Sequence, residues 1–184
     1  MSERIKVMVN GLPGKMASEV ARTLALDGDN FKLVQESFTG SDIPRKEYEV
    51  LIKKFINGSK FKPFGLIHPT ERMDWLNVAN EKYGQFISVD FTQPDAVNNN
   101  ADFYCRHGLP FVMRTTEGDR NALEARVRNS DICAVIARNM AKQIVAFQRV
   151  MQDFANAHKE SMKDYRLEII ESHQQGKKDT SGTA

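Results

Sequence analysis

Short apolar runs alternate along this chain with longer stretches in which apolar residues recur every three to four positions. The apolar runs predict strands, and the longer stretches predict helices. Alternating strands and helices with short connections are typical of a parallel sheet, so we predict an α/β fold with a doubly wound, Rossmann-type sheet. The predicted strands span residues 5–9, 31–36, 64–67, 86–92, 109–113, 132–136 and 167–170, and the main helices after the first span residues 46–56, 71–83, 94–108, 121–128 and 141–159.

The first predicted strand leads directly into a glycine turn, Gly11–Ala17, which has the pattern G-x-x-G-x-x-A and precedes a helical segment. Gly11 permits a tight turn, Gly14 lets a pyrophosphate approach the helix N-terminus, and Ala17 is small enough for close packing of helix and strand. We therefore predict a dinucleotide-binding turn, with a plain β–α turn as the alternative. The predicted cofactor contacts in this turn are Gly11, Leu12, Pro13, Gly14, Lys15 and Met16.

The second predicted strand ends in an acid, Glu36, roughly 20 residues beyond the glycines, where an acid can bind the adenosine ribose. That position favours the non-phosphorylated cofactor, NADH. Ser37 and Thr39 follow, with Arg45 and Lys46 nearby, and these side chains could bind the 2′-phosphate of NADPH instead. The choice between the two cofactors stays open, and a plain surface charge is the alternative for Glu36.

Polar residues lie at the carboxyl ends of several later strands, at Asp90–Thr92, Arg114–Thr116 and Arg138–Asn139. Doubly wound sheets bind ligands at the carboxyl ends of their strands, so we expect these segments near the ligand. The closing stretch, residues 171–184, contains a histidine, lysines, an aspartate and a Ser-Gly-Thr sequence. Such a segment can hold an anion with amides and hydroxyls while His and Lys supply protons. A solvated polar tail is the alternative.

Composition narrows the class of protein. The chain has 184 residues and a formal net charge of +2, with acids and bases interspersed, so no nucleic-acid partner is expected. The N-terminus has no signal-peptide core and no apolar run is long enough to cross a bilayer, so we predict a soluble, cytoplasmic protein without a membrane partner. Cys105 and Cys133 lie in apolar segments without metal-ligand spacing, and we expect buried, reduced thiols and no metal site.

The longest predicted helix, residues 141–159, carries an apolar stripe. Ile144, Phe147, Met151 and Phe154 recur in it at helical spacing. Such a stripe is typical of packing at a domain junction or against a second subunit. We therefore expect a homo-oligomer.

Five segments together resemble one known family. They are the glycine turn Gly11–Ala17 and the segments Val89–Val97, Gly108–Met113, Ala141–Phe147 and Glu171–Ala184. The chain resembles the 4-hydroxy-tetrahydrodipicolinate reductases (dihydrodipicolinate reductases) of lysine biosynthesis, most closely the plant form, and the resemblance runs nearly end to end.

The resemblance implies an enzyme that reduces a cyclic imine dicarboxylate, 4-hydroxy-tetrahydrodipicolinate, with NADPH or NADH in the diaminopimelate route to lysine. It implies that the nicotinamide ring lies near Phe91, Thr92 and the loop of Arg114, Thr115 and Thr116.

The resemblance also implies a catalytic role for the closing stretch. His173 is implied as the general acid, because an imidazolium can donate a proton near neutral pH. Lys177 is implied to assist protonation or to bind the substrate. The other implied substrate contacts are Asn139, Ser181, Gly182 and Thr183.

Two domains follow from the resemblance: a dinucleotide-binding domain at residues 1–139, and the start of a second α/β domain for substrate binding and oligomerisation at residues 140–184. Family enzymes continue beyond the position of Ala184, so we expect a C-terminally shortened form. The family loop Gly-Thr-Thr-Gly is replaced here by Arg114–Glu117, and Arg138 stands where an uncharged residue is common. These departures leave a second hypothesis open, a non-catalytic relative that acts as a nucleotide-binding or assembly module.

Overall fold

The computed structural model describes residues 3–43, 64–114, 118–137, 139–161 and 163–166, together with 168, 170 and 172. The chain divides into two compact units, residues 1–136 and 137–184. The predicted helix at 46–56, half of the predicted strand at 167–170 and nearly all of the closing stretch lie outside the described residues.

The first unit alternates strands and helices, as the pattern of apolar residues predicts. Two short 3-10 turns, Pro69–Glu71 and Pro94–Ala96, each start with a proline and lead into a helix. Proline suits a first helical position because its missing N–H would be unpaired there in any case. The described elements are β1 (Ile5–Asn10), α1 (Lys15–Leu26), β2 (Phe31–Leu33), β3 (Glu36–Phe38), β4 (Gly65–Ile67), α2 (Arg72–Tyr83), β5 (Ile87–Asp90), α3 (Val97–Arg106), β6 (Phe111–Met113), α4 (Arg120–Arg128) and β7 (Ala134–Ile136).

Every described strand pair is parallel, which confirms the predicted doubly wound sheet. The main sheet has the order β2-β1-β5-β6-β7, and β3 pairs with β4 in a second ladder. The chain moves outward from β1 to β2 and later returns on the other side of β1 to form β5. The strand order therefore reverses between β1 and β5, and this reversal marks the crevice in which such folds bind their ligands.

The prediction of one strand at 31–36 is wrong in its boundaries. Residues 31–33 pair with β1, and the Val34 N–H still donates to the carbonyl of Val7 at 2.8 Å. The partner then changes, because the Gly65 N–H donates to the carbonyl of Gln35 at 2.8 Å and β3 runs alongside β4. The change of partner splits the segment and carries the chain to a carboxyl end at Phe38 rather than at Glu36.

The core lies on both faces of the sheet, as the alternation along β1 requires. Val7 and Val9 face α1 and pack with Ala17 and Ala21. Met8 lies in the other cluster, on the face covered by α2, α3 and α4. The largest buried side chains of that second cluster include Phe38, Tyr104, Phe111 and Met113.

The predicted buried state of the cysteines is corrected by the structure. Cys105 is half-buried at the end of α3, and Cys133 is exposed just before β7. Cys133 is exposed because it precedes an edge strand whose own Val135 is 52% exposed. Both thiols are free.

The second unit contains α5 (Lys142–Ala157), which confirms the predicted long helix. No residue of α5 is buried, and its exposed apolar side chains include Val145, Phe147, Val150 and Phe154. Asn139 precedes the helix, and its Oδ1 accepts a hydrogen bond from the Ala141 N–H at 3.0 Å. Of the helices in the described ranges, none combines the length and apolar character that a bilayer span demands.

Candidate functional site

The glycine turn joins β1 to α1 at the point where the strand order reverses. Gly11 has a φ of +99°, a backbone conformation that residues other than glycine rarely adopt. Its N–H donates to the carbonyl of Phe38 at 2.8 Å, and the Gly14 N–H donates to the carbonyl of Gly11 at 2.8 Å. The Leu12–Pro13 peptide bond is cis.

Gly14 is the N-cap of α1 and offers no side chain to cap the first turn, which also contains no acid. Gly14, Lys15 and Met16 are exposed there. The first N–H groups of a helix have no partner within the helix, and together with the helix dipole they favour an anion. The turn therefore has the donors, the charge and the exposure that a pyrophosphate site requires.

Two buried hydroxyls hold the turn in place from the end of β3. The Leu12 N–H donates to Ser37 Oγ at 3.2 Å, and Thr39 Oγ1 donates to the Leu12 carbonyl at 2.8 Å. Leu12 itself is fully buried. Both hydroxyls thus serve the backbone of the turn, and their contacts do not support the alternative in which they bind a 2′-phosphate.

The turn packs directly on the segment after β5. A Cβ added to Gly11 would lie 2.5 Å from the Phe91 carbonyl oxygen and 2.9 Å from the Thr92 nitrogen. The Phe91 N–H in turn donates to the carbonyl of Asn10 at 3.1 Å. The structure therefore brings together two predicted parts of the site, the glycine turn and Phe91–Thr92, and no side chain fits between them.

Behind these two segments lies a set of linked polar side chains that we call the strand-end network. It lies on the face of the sheet that α2 and α3 cover, at the carboxyl ends of β1 and β5, and its members are buried except for the half-buried Thr92. Asn10 and Asp90 stand opposite each other in adjacent strands, and both are fully buried. The network consists of Asn10, Arg72, Asp90, Thr92, Asn100 and Tyr104.

The Asp90 carboxylate is the centre of this network. Oδ1 accepts from the Thr92 N–H at 2.8 Å and from the Thr92 hydroxyl at 2.6 Å. Oδ2 accepts from the Tyr104 hydroxyl at 2.6 Å and from Asn100 Nδ2 at 3.0 Å. A buried carboxylate is tolerated when donors surround it, and these bonds fix the direction in which the chain leaves β5.

Asn10 connects Asp90 to the neighbouring strand ends. Its Nδ2 donates to the Tyr104 hydroxyl at 2.9 Å, and its Oδ1 accepts from the Phe38 N–H at 2.8 Å. The backbone of Phe38 also accepts the N–H of Gly11. The network thus links the ends of β1, β3 and β5, which are the three strand ends that frame the glycine turn.

Arg72 enters the network from the first turn of α2. Its Nη1 donates to Asn100 Oδ1 at 2.7 Å, and its guanidinium carbon lies 4.8 Å from the centre of the Phe38 ring. Asn100 Nδ2 then donates to Asp90 and to Thr92 Oγ1. Burial lowers the pKa of Arg72, and the nearby Tyr104 and Asp90 oppose that effect.

Burial raises the pKa of Tyr104 well above its ordinary value, and the charge of Asp90 and the hydrogen bond to it act in the same direction. The unfolded chain therefore loses this proton first, at about pH 10, while the folded chain keeps it. The stability contributed by this difference is complete below about pH 10 and is lost as the pH rises above it. We expect the free energy of unfolding to fall above about pH 10, measured by urea denaturation at a series of pH values.

The matched variants for this prediction are Tyr104→Phe and Tyr165→Phe. Tyr165 is 76% exposed, and its loss is expected to leave the alkaline decline unchanged. Tyr104→Phe is expected to make the decline shallower without abolishing it, because burial also raises the pKa of Tyr83. An equally steep decline in Tyr104→Phe would contradict the prediction.

Glu36 lies at the first residue of β3, two residues before the strand ends. Its carboxylate accepts hydrogen bonds from Lys82 Nζ at 2.9 Å and from the Tyr83 hydroxyl at 2.7 Å, both in the last turn of α2. Arg72, at the opposite end of α2, is the residue that faces the strand ends. The contacts of Glu36 therefore give no support to a ribose-binding role, which stays a prediction.

The other predicted site residues fall in different places. The Arg114 N–H donates to the Asp90 carbonyl at 3.2 Å, which sets the end of β6 beside β5, and its side chain is half-buried. Asn139 belongs to the second unit and supports the start of α5. The predicted residues that lie outside the described ranges are Arg45, Lys46, Thr115, Thr116, Arg138, His173, Lys177, Ser181, Gly182 and Thr183.

Sequence reasoning missed four members of the strand-end network, namely Asn10, Arg72, Asn100 and Tyr104. Two features of the sequence could have indicated three of these residues. Asn10 is a polar residue in the last position of an apolar strand, and Asn100 and Tyr104 are four residues apart, on the same face of a helix. Arg72 gave no signal, because an arginine at the start of a helix is ordinarily exposed.

Comparison with known proteins identifies the family. The family model for dihydrodipicolinate reductase, N-terminus, matches residues 5–140. The chain belongs to the dihydrodipicolinate reductase family. The match covers β1 to β7 and so includes the glycine turn and the whole strand-end network.

Individual relatives carry the same name. The chain is 41% identical over 181 residues to 4-hydroxy-tetrahydrodipicolinate reductase 2, chloroplastic, of Arabidopsis thaliana, which covers 98% of this chain and 48% of that protein. It is 30% identical over 185 residues to the 4-hydroxy-tetrahydrodipicolinate reductase of Methanococcus aeolicus, covering 98% of this chain and 63% of that protein. The chain thus spans about half the length of the plant relative.

Among solved structures, RSP in complex with beta-NADH has a TM-score of 0.46 at 12% identity, over 87% of this chain and 63% of that one.

Proposed function

We propose that this chain binds a nicotinamide dinucleotide across the crevice between β1 and β5, as the cofactor-binding part of a 4-hydroxy-tetrahydrodipicolinate reductase in the diaminopimelate route to lysine. The observation that supports this most is the glycine turn itself. It presents the uncapped N-terminus of α1 to solvent while Gly11 packs on Phe91–Thr92. Family membership supplies the reaction, because the relatives are named as reductases of this substrate.

The residues present fit such a cofactor. In this type of sheet the pyrophosphate lies at the glycine turn, the adenosine lies towards the second strand, and the nicotinamide lies on the other side of the switch point. The adenosine would therefore lie towards the end of β3, and the nicotinamide towards β5 and β6. The proposed contacts are Gly11, Leu12, Pro13, Gly14, Lys15 and Met16 for the pyrophosphate and Phe91, Thr92, Arg114, Thr115 and Thr116 for the nicotinamide half.

The chemistry rests on the resemblance to the family. A bound NADPH or NADH would supply a hydride to C4 of the ring, and because C4 of 4-hydroxy-tetrahydrodipicolinate carries a hydroxyl, that group must leave as water before the hydride adds. We propose that His173 donates the proton and that Lys177 assists protonation or binds a carboxylate of the substrate. We propose that Asn139, Ser181, Gly182 and Thr183 hold the substrate carboxylates. The division into a cofactor domain at 1–139 and a substrate domain at 140–184 belongs to the same proposal.

A second candidate function is a non-catalytic nucleotide-binding or assembly module. Arg114 favours it, because a long cation stands where the family loop has glycine, and its backbone contacts Asp90 beside the proposed nicotinamide position. The exposed apolar side chains of α5 support homo-oligomerisation in either case. A cytoplasmic location stays a prediction.

Calorimetric titration of the chain with NADH and with NADPH tests cofactor binding. We expect saturable binding of at least one of them, because the α1 N-terminus offers unpaired donors to the pyrophosphate. The ratio of the two affinities then reports the preference at the 2′ position. Absence of heat with both cofactors would contradict the proposal.

Reduction of freshly generated 4-hydroxy-tetrahydrodipicolinate, followed as loss of NAD(P)H absorbance, then separates the two candidate functions. Turnover is the expected result for the reductase. Binding without turnover would favour the non-catalytic module.

A further inference from the structure

We propose that Arg72 is a positioning residue for the nicotinamide half of the site, acting through Asn100 on the Asp90–Thr92 segment. The inference rests on the proposed function, since it assigns a role in cofactor binding to Arg72. This residue lies outside the glycine turn. Arg72 does not reach the cofactor in this proposal. It instead contacts Asn100, whose side chain binds Asp90 and Thr92.

The chain of contacts from Arg72 to the segment is short and continuous. Arg72 Nη1 donates to Asn100 Oδ1 at 2.7 Å, which orients the Asn100 amide so that its Nδ2 faces the strand end. That Nδ2 donates to Thr92 Oγ1 at 2.8 Å and to Asp90 Oδ2 at 3.0 Å. The Thr92 hydroxyl and N–H both donate to Asp90 Oδ1.

The amide orientation is the step that depends on Arg72. An asparagine side chain carries an acceptor and a donor at similar positions, and a neighbouring donor decides which of them points where. Arg72 can only donate, so Asn100 must present its oxygen to Arg72 and its nitrogen to Asp90 and Thr92. With Arg72 gone, Asn100 Oδ1 loses this donor, and the amide is held in this series of contacts only by the bonds of its Nδ2 to Asp90 and Thr92.

The burial of Arg72 indicates a role other than stability. The residue is only 9% exposed, and its hydrogen bond goes to a neutral amide. Its Nε is buried and finds no partner among the residues that the structure describes. Burying a charge in such surroundings is unfavourable, and the nearby Asp90 only opposes that effect in part. A residue that is costly to bury and orients a neighbour fits a site better than a core.

We expect the loss of Arg72 to weaken the binding of the nicotinamide half of the dinucleotide only. The segment that Arg72 supports follows β5, on the nicotinamide side of the switch point, whereas the adenosine side is framed by β3. Loss of Arg72 should therefore weaken binding of the whole cofactor but leave binding of its adenosine diphosphate ribose portion intact. A general loss of structure would weaken both ligands together.

The experiment compares Arg72→Met, Arg72→Lys and the control Arg106→Met in the full chain. Arg106 is an exposed arginine of α3 that pairs with Asp102 and does not touch the network. The ligands are NADH or NADPH, whichever the wild-type protein binds more tightly, and the matching ADP-ribose with or without its 2′-phosphate. Calorimetry gives the affinities, and thermal unfolding gives the Tm of each variant.

We expect Arg72→Met to bind the whole dinucleotide about tenfold more weakly than wild type, with its ADP-ribose affinity within about twofold and its Tm within a few degrees. Arg72→Lys keeps a donor at this position and should recover part of the loss, while Arg106→Met should match wild type.

Unchanged dinucleotide affinity in Arg72→Met would overturn the positioning role alone. Equal loss of both ligands would also overturn it, because that result describes a structural residue. If Arg72→Met does not fold, the same comparison of the two ligands is made with Arg72→Lys, where an equal loss of affinity for both ligands counts against the role. A wild-type chain that binds neither cofactor would overturn both this inference and the proposed function.

Discussion

Replacing Gly11 with alanine is expected to lower the free energy of unfolding by roughly 2–4 kcal/mol and to reduce dinucleotide affinity at least about tenfold. Two independent effects meet at this residue. Its φ of +99° is unfavourable for any residue with a side chain. The added Cβ would also lie 2.5 Å from the Phe91 carbonyl oxygen and 2.7 Å from its carbon, so the backbone itself must move.

This movement of the backbone is expected to lower both the stability of the protein and its affinity for the dinucleotide. Gly11 lies between the Phe38 carbonyl, to which its N–H donates, and the Phe91–Thr92 peptide. A turn that shifts away from Phe91 loses alignment with the N-terminus of α1, where we propose the pyrophosphate to bind. Urea denaturation measures the first effect, and calorimetry with NADH and NADPH measures the second.

Two other glycines separate strain from steric clash. Gly108 has a φ of +65°, but an added Cβ would meet nothing within 4 Å, so Gly108→Ala reports the backbone strain alone. An added Cβ at Gly28 would come no closer than 3.8 Å, to the Ala25 carbonyl oxygen, so Gly28→Ala reports neither effect. We expect the loss of stability to rise in the order Gly28→Ala, Gly108→Ala, Gly11→Ala, and only the last to affect cofactor affinity. Gly11→Ala with the stability and affinity of Gly108→Ala would remove the steric argument.

Local patterns in the sequence were sufficient to predict the fold. The strand–turn–helix at the glycine motif and the alternation of apolar runs with helical stretches both depend on residues close together in the chain. Such signals lead directly to a parallel α/β sheet. The boundary at residues 31–36 could not be predicted in this way, because it depends on the exchange of β1 for β4 as the neighbouring strand, and β4 begins about 30 residues later.

The same limit explains which parts of the site were predicted. Gly11 and Phe91–Thr92 follow strands, and the general rule for parallel sheets places strand ends at one edge. The interpretation of Glu36 assumed that the strand ended there, whereas the strand end is Phe38 and Glu36 contacts the far end of α2. Arg72 and Asn100 meet only because α2 and α3 cover the same face of the sheet. Contacts that depend on the packing of two helices leave no local pattern in the sequence.

Removing the carboxylate of Asp90 is expected to destabilise the first unit by roughly 3–5 kcal/mol, which is a large part of the stability of a typical domain. Asp90 is fully buried and accepts hydrogen bonds from the Thr92 N–H, the Thr92 hydroxyl, the Tyr104 hydroxyl and Asn100 Nδ2. In Asp90→Ala these donors remain buried without their acceptor, and each unpaired group carries a desolvation cost. The positive charge of Arg72 also loses the nearby carboxylate that partly offsets its burial.

The matched control is Asp102→Ala in α3, where an aspartate 35% exposed at its side chain pairs with Arg106 and Arg126. Exposed ion pairs contribute little, so we expect a loss of at most about 1 kcal/mol. Asp90→Asn should fall between the two, because it keeps the shape and one acceptor oxygen but turns an amide donor towards other donors. Urea denaturation of the three variants measures these differences. Equal stability of Asp90→Ala and Asp102→Ala would mean that the strand-end network does not hold the ends of β1, β3 and β5 together, and the positioning of Phe91–Thr92 would need another cause.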